Sequence, residues 1–593
     1  MSGPDTAAGA PPSHRGLLAT AGTIAVITLV ARVVGFGRWF VFSHSVGATC
    51  VGSVYQSVNA VPNVLFEIAA GGVLAAVAVP LVAGALARGE RAGADATASA
   101  LLTWAAVVLV PLGVAVALAA GPIAGALLGT GCAGEVALGT DLLRIFAVQV
   151  PLYGVAIVMA GVLQAHHRFV GAALAPLLSS LVVIATYLAY RALAVDPAAP
   201  IDEVPHVAVV VLGVGTTLGV VALALPLLVP ARRAGLRLRP RLRFPDGVGR
   251  RVRVLAASGL LAVAGQQVAT LVVIRLANDR GGAGTLNVYT YAQAVTLLPY
   301  AVLAVPLATV AFPSLAGAHA GRGGSVAASG KQATERRQPA ASAHRAQRGQ
   351  SAPPTTPDAR DVAAATLRRA WLATLVVTLL GAATLVAVAI PIGAFFSALD
   401  AGSGSDASLE TLATMGDAVT LFAPSVVGLG VIGLLSRASY VRGSPLAAGG
   451  LTATGWLASV VLPLVVLDPS GAGGPQTLRA LAAGSSIGLA LGALLLVVLV
   501  GRTWGWRALS LPARPVAAAL TAAIAGAVAG RGVASWLSVH GVGQSLGSSA
   551  VVGLGVGVVA LLVMLGLAVT IDPSVLTRVR RPRRDPEAAD VAT

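Results

Sequence analysis

Apolar residues in this chain come in unbroken blocks, not in amphipathic stripes. A helix needs about 20 apolar residues to cross the hydrocarbon core of a bilayer, and these blocks are that long or longer. Fourteen are legible: 18–43, 54–86, 98–128, 140–165, 170–192, 206–230, 254–277, 286–318, 366–397, 412–438, 446–467, 478–500, 514–538 and 547–571. Only 11% of residues are charged and 56% are hydrophobic. A soluble chain carries roughly twice that share of charge. The expected fold class is therefore an all-α polytopic membrane protein with about fourteen transmembrane helices.

The net charge of +17 comes mainly from arginines clustered in alternate gaps between the blocks. One set of gaps holds Arg88, Arg91, Arg168, the runs Arg232 to Arg253 and Arg322 to Arg369, Arg437, Arg442, Arg502 and Arg507, and the tail from Arg578 to Arg584. The other set carries Asp196, Asp202, Glu203, Asp400, Asp406, Glu410 and Asp468. Positively charged loops stay on the cytoplasmic side, which places both termini in the cytoplasm. Basic loops without interleaved aromatics or a binding module argue against nucleic acid as a partner. The start, "MSGPDTAAGAPPSHRG", is polar, and the run after it is too long for a signal-peptide core, so the first helix itself is the expected targeting signal.

Two echoes recur six spans apart. "VPLVAGALARGE" (79–90) is answered by "FPSLAGAHAGRGG" (312–324), and "GVLQAHHRFV" (161–170) by "GLLSRASYVR" (433–442). They suggest two six-helix lobes of the same topology followed by two extra helices. The expected organisation is a cytoplasmic N-terminal tail (1–17), an N-lobe (18–230), a basic cytoplasmic loop (231–253), a C-lobe (254–500), helices thirteen and fourteen (501–571) and a cytoplasmic tail (572–593). Within the C-lobe, 321–363 is rich in Ala, Ser, Gln, Arg and Pro and reads as a disordered cytoplasmic insertion. Parallel repeats of this kind place a substrate site between the lobes near the membrane midplane.

Charges inside spans are functional candidates, because each costs a few kcal/mol on insertion scales unless it faces a cavity or a partner. "VARVVGFGRWFVF" (30–42) places Arg32 mid-span and Arg38 nearer the outer face. On an ideal helix they lie ~120° apart, and Gly35 and Gly37 between them permit a bend. In the second span, "NAVPNVLFEIAAGG" places Glu67 beyond Pro62, with Asn59 and Asn63 flanking the proline. Glu67 either pairs with Arg32 or Arg38 or serves as a titrating or cation-binding group. Gln266, Gln267 and Gln293 add polar groups that can face the same cavity. Arg144, at the outer end of the fourth span, either adds positive charge or meets headgroups. Arg275 and Arg280 read as interface anchors. Guanidinium groups grip phosphates bidentately, so such a cavity suits a phosphorylated substrate.

Nothing in the chain reads as an enzyme site, a metal centre or a cofactor cradle. His166 and His167 read as loop residues beside Arg168. There is no Walker motif, so the energy for transport comes from an ion gradient, the membrane potential or downhill substrate flux. The two cysteines, Cys50 and Cys132, both fall in expected outer loops, where a disulfide can persist. A bridge and two free thiols are both open.

"ARVVGFGRWF" (31–40) resembles the S-R-x-x-G-F-x-R motif that opens the MurJ/MviN family of lipid II flippases. "VPN" (61–63) followed by "VPL" (79–81) resembles that family's second helix, and "LLRIFAVQVPLYGVAIVMAGVLQAHHRF" (142–169) its fourth. "AFPSL" (311–315) and "SRASYVRGSP" (436–445) resemble its later motifs. The resemblance covers nearly the whole chain. It implies the multidrug/oligosaccharidyl-lipid/polysaccharide exporter fold, alternating access and a bacterial cytoplasmic (inner) membrane location. The implied substrate is lipid II or a related undecaprenyl-pyrophosphate-linked glycan, with membrane lipids and cell-wall synthesis proteins as further partners. The family's cavity arginines map onto Arg32 and Arg38, and its last two helices, which help form a groove for the polyprenyl tail, map onto 514–538 and 547–571. Several positions depart from the pattern. Trp39 and Ser53 stand where the family is acidic, Glu67 and Ala294 where it is basic, and Ala70-Gly71-Gly72 where it reads A-E-G. Those departures keep two alternatives in view. One is a paralogue exporting another lipid-linked glycan or a cation-coupled amphiphile. The other is a non-transporting cell-wall scaffold that docks through 321–363.

Overall fold

The computed structural model describes residues 14–68, 82, 85–86, 89–129, 131–166, 168–233, 235–236, 238–243, 248–307, 359–400, 406–468 and 472–573. Among these residues every regular element is helical. Thirteen helical stretches are long and apolar enough to cross a membrane. The expected span without a counterpart among them is 54–86: its first part is helical, and most of 69–88 lies outside the described residues. The A-G-G positions 70–72, "AFPSL" (311–315), His167 and most of the 321–363 insertion lie outside them too.

Chain contacts divide the molecule into two units. The first comprises residues 1–263 with the short segments 277–287 and 399–409. Its helices are α1 (His14–Ser45), α2 (Cys50–Glu67), α3 (Arg91–Leu118), α4 (Ala120–Leu127), α5 (Glu135–Ala147), α6 (Gln149–Ala165), α7 (Phe169–Leu193), α8 (His206–Ala224) and α9 (Leu228–Arg233). α5 and α6 abut at Val148 and together make one span, Glu135–Ala165. Thr49 caps α2, its hydroxyl accepting from the Gly52 amide at 3.0 Å, which occupies one of the amides a helix start leaves free. The core of this unit gathers Leu101, Leu109, Ile157, Met159, Leu163 and Leu227.

The second unit comprises 264–276, 288–398 and 410–593. α10 (Val248–Gly281) starts and ends in the first unit with 264–276 assigned to the second, and α11 (Thr285–Pro299) starts in the first unit and ends in the second. α11 runs into one π-helical stretch, Tyr300–Ala304, where Pro299 lies just before the change of winding. There follow α12 (Ala359–Asp400), α13 (Asp406–Ala413), α14 (Met415–Val441), α15 (Pro445–Ala458), α16 (Val461–Val466), α17 (Gly474–Trp504), α18 (Ala513–Val539) and α19 (Leu546–Ile571). One core joins Leu367, Trp371, Leu435, Leu496 and Trp504. Another joins Ala383 and Ala387 to Ala522, Ala534, Ala560 and Met564. Its small residues let helix backbones approach closely, as packing inside a membrane requires.

Two boundaries move. The insertion expected through 363 ends sooner, because α12 begins at Ala359. Ala and Arg are strong helix formers there, and Ala363, Leu367 and Trp371 recur every four residues on one buried face. The loop expected through 253 likewise gives way to α10 at Val248.

One end of the first unit, where α1 hands over to α2, is sealed by hydrogen bonds from distant parts of the chain, neutral but for one to Asp400. Asn287 donates to the Gly47 carbonyl at 2.8 Å, and the Gly284 amide to Ser53 Oγ at 2.7 Å. Asn278 donates to Ser57 Oγ at 2.8 Å and to the Leu127 carbonyl at 2.9 Å. The Ala48 amide donates to Asp400 Oδ2 at 3.1 Å. Two glycines make this packing possible. A Cβ at Gly52 would run into the Gly47 carbonyl oxygen and lie 2.7 Å from Asn287 Nδ2, and one at Gly129 would lie 2.8 Å from the Asn278 carbonyl oxygen. A disulfide joins Cys50 to Cys132, with Cα atoms 6.1 Å apart, and so ties the start of α2 to the loop between α4 and α5.

Candidate functional site

α1 carries both candidate arginines through an apolar run. Arg32 is exposed and lines a cleft of about 480 Å³ with Thr28, Gln164, Phe169 and Pro176, between α1 and the α6–α7 turn. Arg38 is half-buried and is not among the residues lining that cleft. Its guanidinium lies 5.6 Å from the ring centroid of its neighbour Trp39, within cation–π range. The same charge lies within electrostatic reach of Tyr55, Tyr153 and Tyr187.

Tyr153, on the first turns of α6, is where several candidates meet. Its hydroxyl donates to Asn63 Oδ1 at 2.9 Å, and its ring packs on Phe66 with centroids 4.5 Å apart. The charges of Arg38 and Glu67 both act on it. Asn63 in turn donates to the Asn59 carbonyl at 2.8 Å, in the turn that carries Pro62. Asn63 therefore bonds the phenol directly, while Arg38 and Glu67 act on it through space. Glu67 is exposed and makes no ion pair with either arginine among the described residues, and neither arginine has a carboxylate partner there. Beneath lies a buried hydroxyl cluster: Tyr55 meets Tyr187 and Thr216, each at 3.0 Å.

The remaining candidates stand apart from this group. Arg144 is exposed and pairs with Asp141, one helical turn back, at 3.4 Å. Gln293 belongs to the second unit, where it donates to Tyr289 Oη at 3.4 Å. Arg280 pairs with its neighbour Asp279, as fits an anchor near a helix end.

Sequence reasoning missed Tyr153 and Arg531. The signal for Tyr153 was a polar phenol inside "VQVPLYGV", since a buried Tyr hydroxyl usually finds a partner. Arg531 interrupts the apolar "AGAVAGRGVASW" of α18 and donates to Thr420 Oγ1 of α14 at 3.0 Å.

In the second unit α12, α18 and α19 enclose an apolar groove of about 750 Å³. Leu372, Val376, Ala518, Ala522, Leu561 and Met564 line it, and Arg369 and Asp572 are the charged residues at its margin. The alanines of α18 leave room that larger side chains would fill.

The family described as "Lipid II flippase MurJ" matches residues 42–335. Among solved structures, one described as "Lipid II flippase MurJ, inward closed conformation" matches with a TM-score of 0.65 at 14% identity, covering 93% of this chain and 99% of that one. An inward-facing multidrug resistance MATE transporter of the MOP superfamily matches with a TM-score of 0.58 at 15% identity, covering 81% and 98%. A MATE structure in complex with MaD3S matches with a TM-score of 0.54 at 15% identity, covering 81% and 94%. The fold is thus shared with flippases and drug exporters alike, while the family match over residues 42–335 points to one branch, the MurJ lipid II flippases.

Proposed function

We propose that this chain moves lipid II, a polyprenyl-pyrophosphate-linked peptidoglycan precursor, across the bacterial cytoplasmic membrane by alternating access. The observation that carries the reading is the pair Arg32 and Arg38, two permanent charges on one spanning helix with no carboxylate partner among the described residues. A pyrophosphate supplies the missing negative charge, and guanidinium groups bind its oxygens with short, charge-assisted hydrogen bonds. Asn63 and Tyr153 extend the polar surface that the headgroup meets. The groove between α12, α18 and α19 is apolar enough to take the polyprenyl tail. Basic loops, both termini included, lie on the cytoplasmic side. The segment 321–363 is a place where cell-wall synthesis proteins can dock, and its deletion leaves a flippase largely active.

The test is exposure of lipid II on the outer leaflet, read with an external enzyme that cleaves only flipped lipid II. In cells depleted of this protein exposure collapses; wild-type protein restores it and Arg32→Ala does not. Full restoration by Arg32→Ala overturns the reading. A second reading, a cation-coupled amphiphile exporter, is favoured by Glu67, an exposed carboxylate without an ion pair among the described residues, on a fold shared with MATE transporters. It predicts dye efflux that Glu67→Gln abolishes.

A further inference from the structure

After α9 the chain does not leave the first unit. Residues 236–243, "LRLRPRLR", alternate apolar and basic side chains, the period of an extended chain with two faces. The described part of this segment is extended and runs along α3. The Arg239 amide donates to Ser99 Oγ at 3.1 Å and the Arg241 amide to Thr103 Oγ1 at 2.9 Å. Trp104 closes the far end, its indole N–H donating to the Leu242 carbonyl at 2.8 Å. The spacing explains the fit. Ser99 and Thr103 are one helical turn apart on α3, and amides two residues apart in an extended chain point the same way and lie about 6.6 Å apart.

The two faces of this strap differ. Leu236 and Leu238 pack against the core of the unit. Arg239, Arg241 and Arg243 are exposed and have no carboxylate partner among the described residues. Beside them Trp104 is 42% exposed and Leu242 56%. Ser99 and Thr103 come just before the long apolar run that starts at Ala105, so the strap lies where α3 enters the hydrocarbon. An exposed Trp at that level is the usual anchor in the headgroup region.

We propose that Arg239, Arg241 and Arg243, with Trp104 and Leu242 beside them, form a docking surface for anionic phospholipid headgroups of the adjoining leaflet. Three arginines at two-residue spacing form a row of cations held by backbone bonds, so the row is ordered before any lipid arrives. Trp104 and Leu242 enter the acyl boundary while the guanidiniums meet phosphate oxygens, the two components that surface binding combines. A mobile basic loop would attract the same lipids without fixing their positions. Here the row is fastened to α3, whose other faces meet α6 in the core, so the state of the leaflet is felt by the packed helices. The surface is separate from the Arg32 and Arg38 region and stands whatever the cargo is.

The test uses the full chain purified in detergent, titrated with phosphatidylglycerol or phosphatidylcholine, with retained lipids counted by native mass spectrometry. The wild type holds phosphatidylglycerol and releases it as salt rises, because exposed charges are screened. The variant carrying Arg239→Gln, Arg241→Gln and Arg243→Gln binds it about tenfold or more weakly, with an unchanged unfolding midpoint in phosphatidylcholine. Thr103→Val, which keeps every charge and loosens the strap, gives an intermediate loss. Equal phosphatidylglycerol binding by wild type and triple variant overturns the proposal, as does equal binding of the two lipids by the wild type. Undecaprenyl diphosphate bound through these arginines more tightly than phosphatidylglycerol also overturns it, and makes the strap an entry point for cargo.

Discussion

The first unit has two polar regions built on opposite terms. At the α1–α2 turn, polar groups are matched, all but Asp400 neutral: Asn278 to Ser57, Asn287 to Gly47, Gly284 to Ser53, and the Ala48 amide to Asp400. Around Tyr153, charges are left without countercharges: Arg38 and Glu67 share a neighbour and make no ion pair among the described residues. Burying matched neutral groups adds modest stability and asks for nothing from outside. Holding an unmatched charge in an apolar span costs free energy that only a ligand, water or a moving partner offsets. The first arrangement closes a structure; the second keeps a place open.

The sharpest way to break the comparison is to remove the unmatched charge. Arg38→Ala is expected to lower lipid II exposure about 10- to 100-fold, the loss of a hydrogen-bonded charge contact of about 1.5–3 kcal/mol. Its unfolding midpoint should hold or rise, since no internal ion pair is lost and an unmatched charge leaves the span. A midpoint that falls in step with activity would make Arg38 a structural residue and erase the contrast.

The matched region should respond in the opposite way. Gly52→Val forces a side chain against the Gly47 carbonyl and Asn287, and overpacking of this kind costs about 1–3 kcal/mol. Midpoint and folded yield should drop, while transport per folded molecule changes less than in Arg38→Ala. Cys50→Ala acts on the same region through the chain between the cysteines, which are 82 positions apart. A disulfide typically contributes about 2–4 kcal/mol by limiting the unfolded chain. The expected result is a lower midpoint that reducing agent reproduces in the wild type and cannot lower further in the variant. Wild-type protein with two freely alkylated thiols would remove this brace from the account.

The two regions were not equally legible. Arg32, Arg38 and Glu67 announce themselves because a charge in a long apolar run is visible without any knowledge of contacts. The matched region is silent in sequence: Ser53 and Gly284 are ordinary residues until they meet, and they lie 231 positions apart. The same reasoning explains Arg144. Sequence marks it as a charge near a membrane end, but only the fold reveals that Asp141, three residues earlier, already answers it. Span positions were readable from apolar length, with errors at Ala359 and Val248, where helix propensity continues past the apolar block.

The smallest expected effect tests whether the open region is organised or merely unpaired. Tyr153→Phe removes one hydroxyl and keeps the ring on Phe66, so packing is preserved. The lost bond to Asn63 is worth about 0.5–1.5 kcal/mol, a few-fold in rate if Tyr153 helps position the headgroup. The informative comparison is with Asn63→Ala and the double variant. If phenol and amide act as one element, the double variant loses no more lipid II exposure than the worse single. If the losses multiply, each group acts alone, and the cluster around Arg38 is a crowd of polar side chains with a single working member.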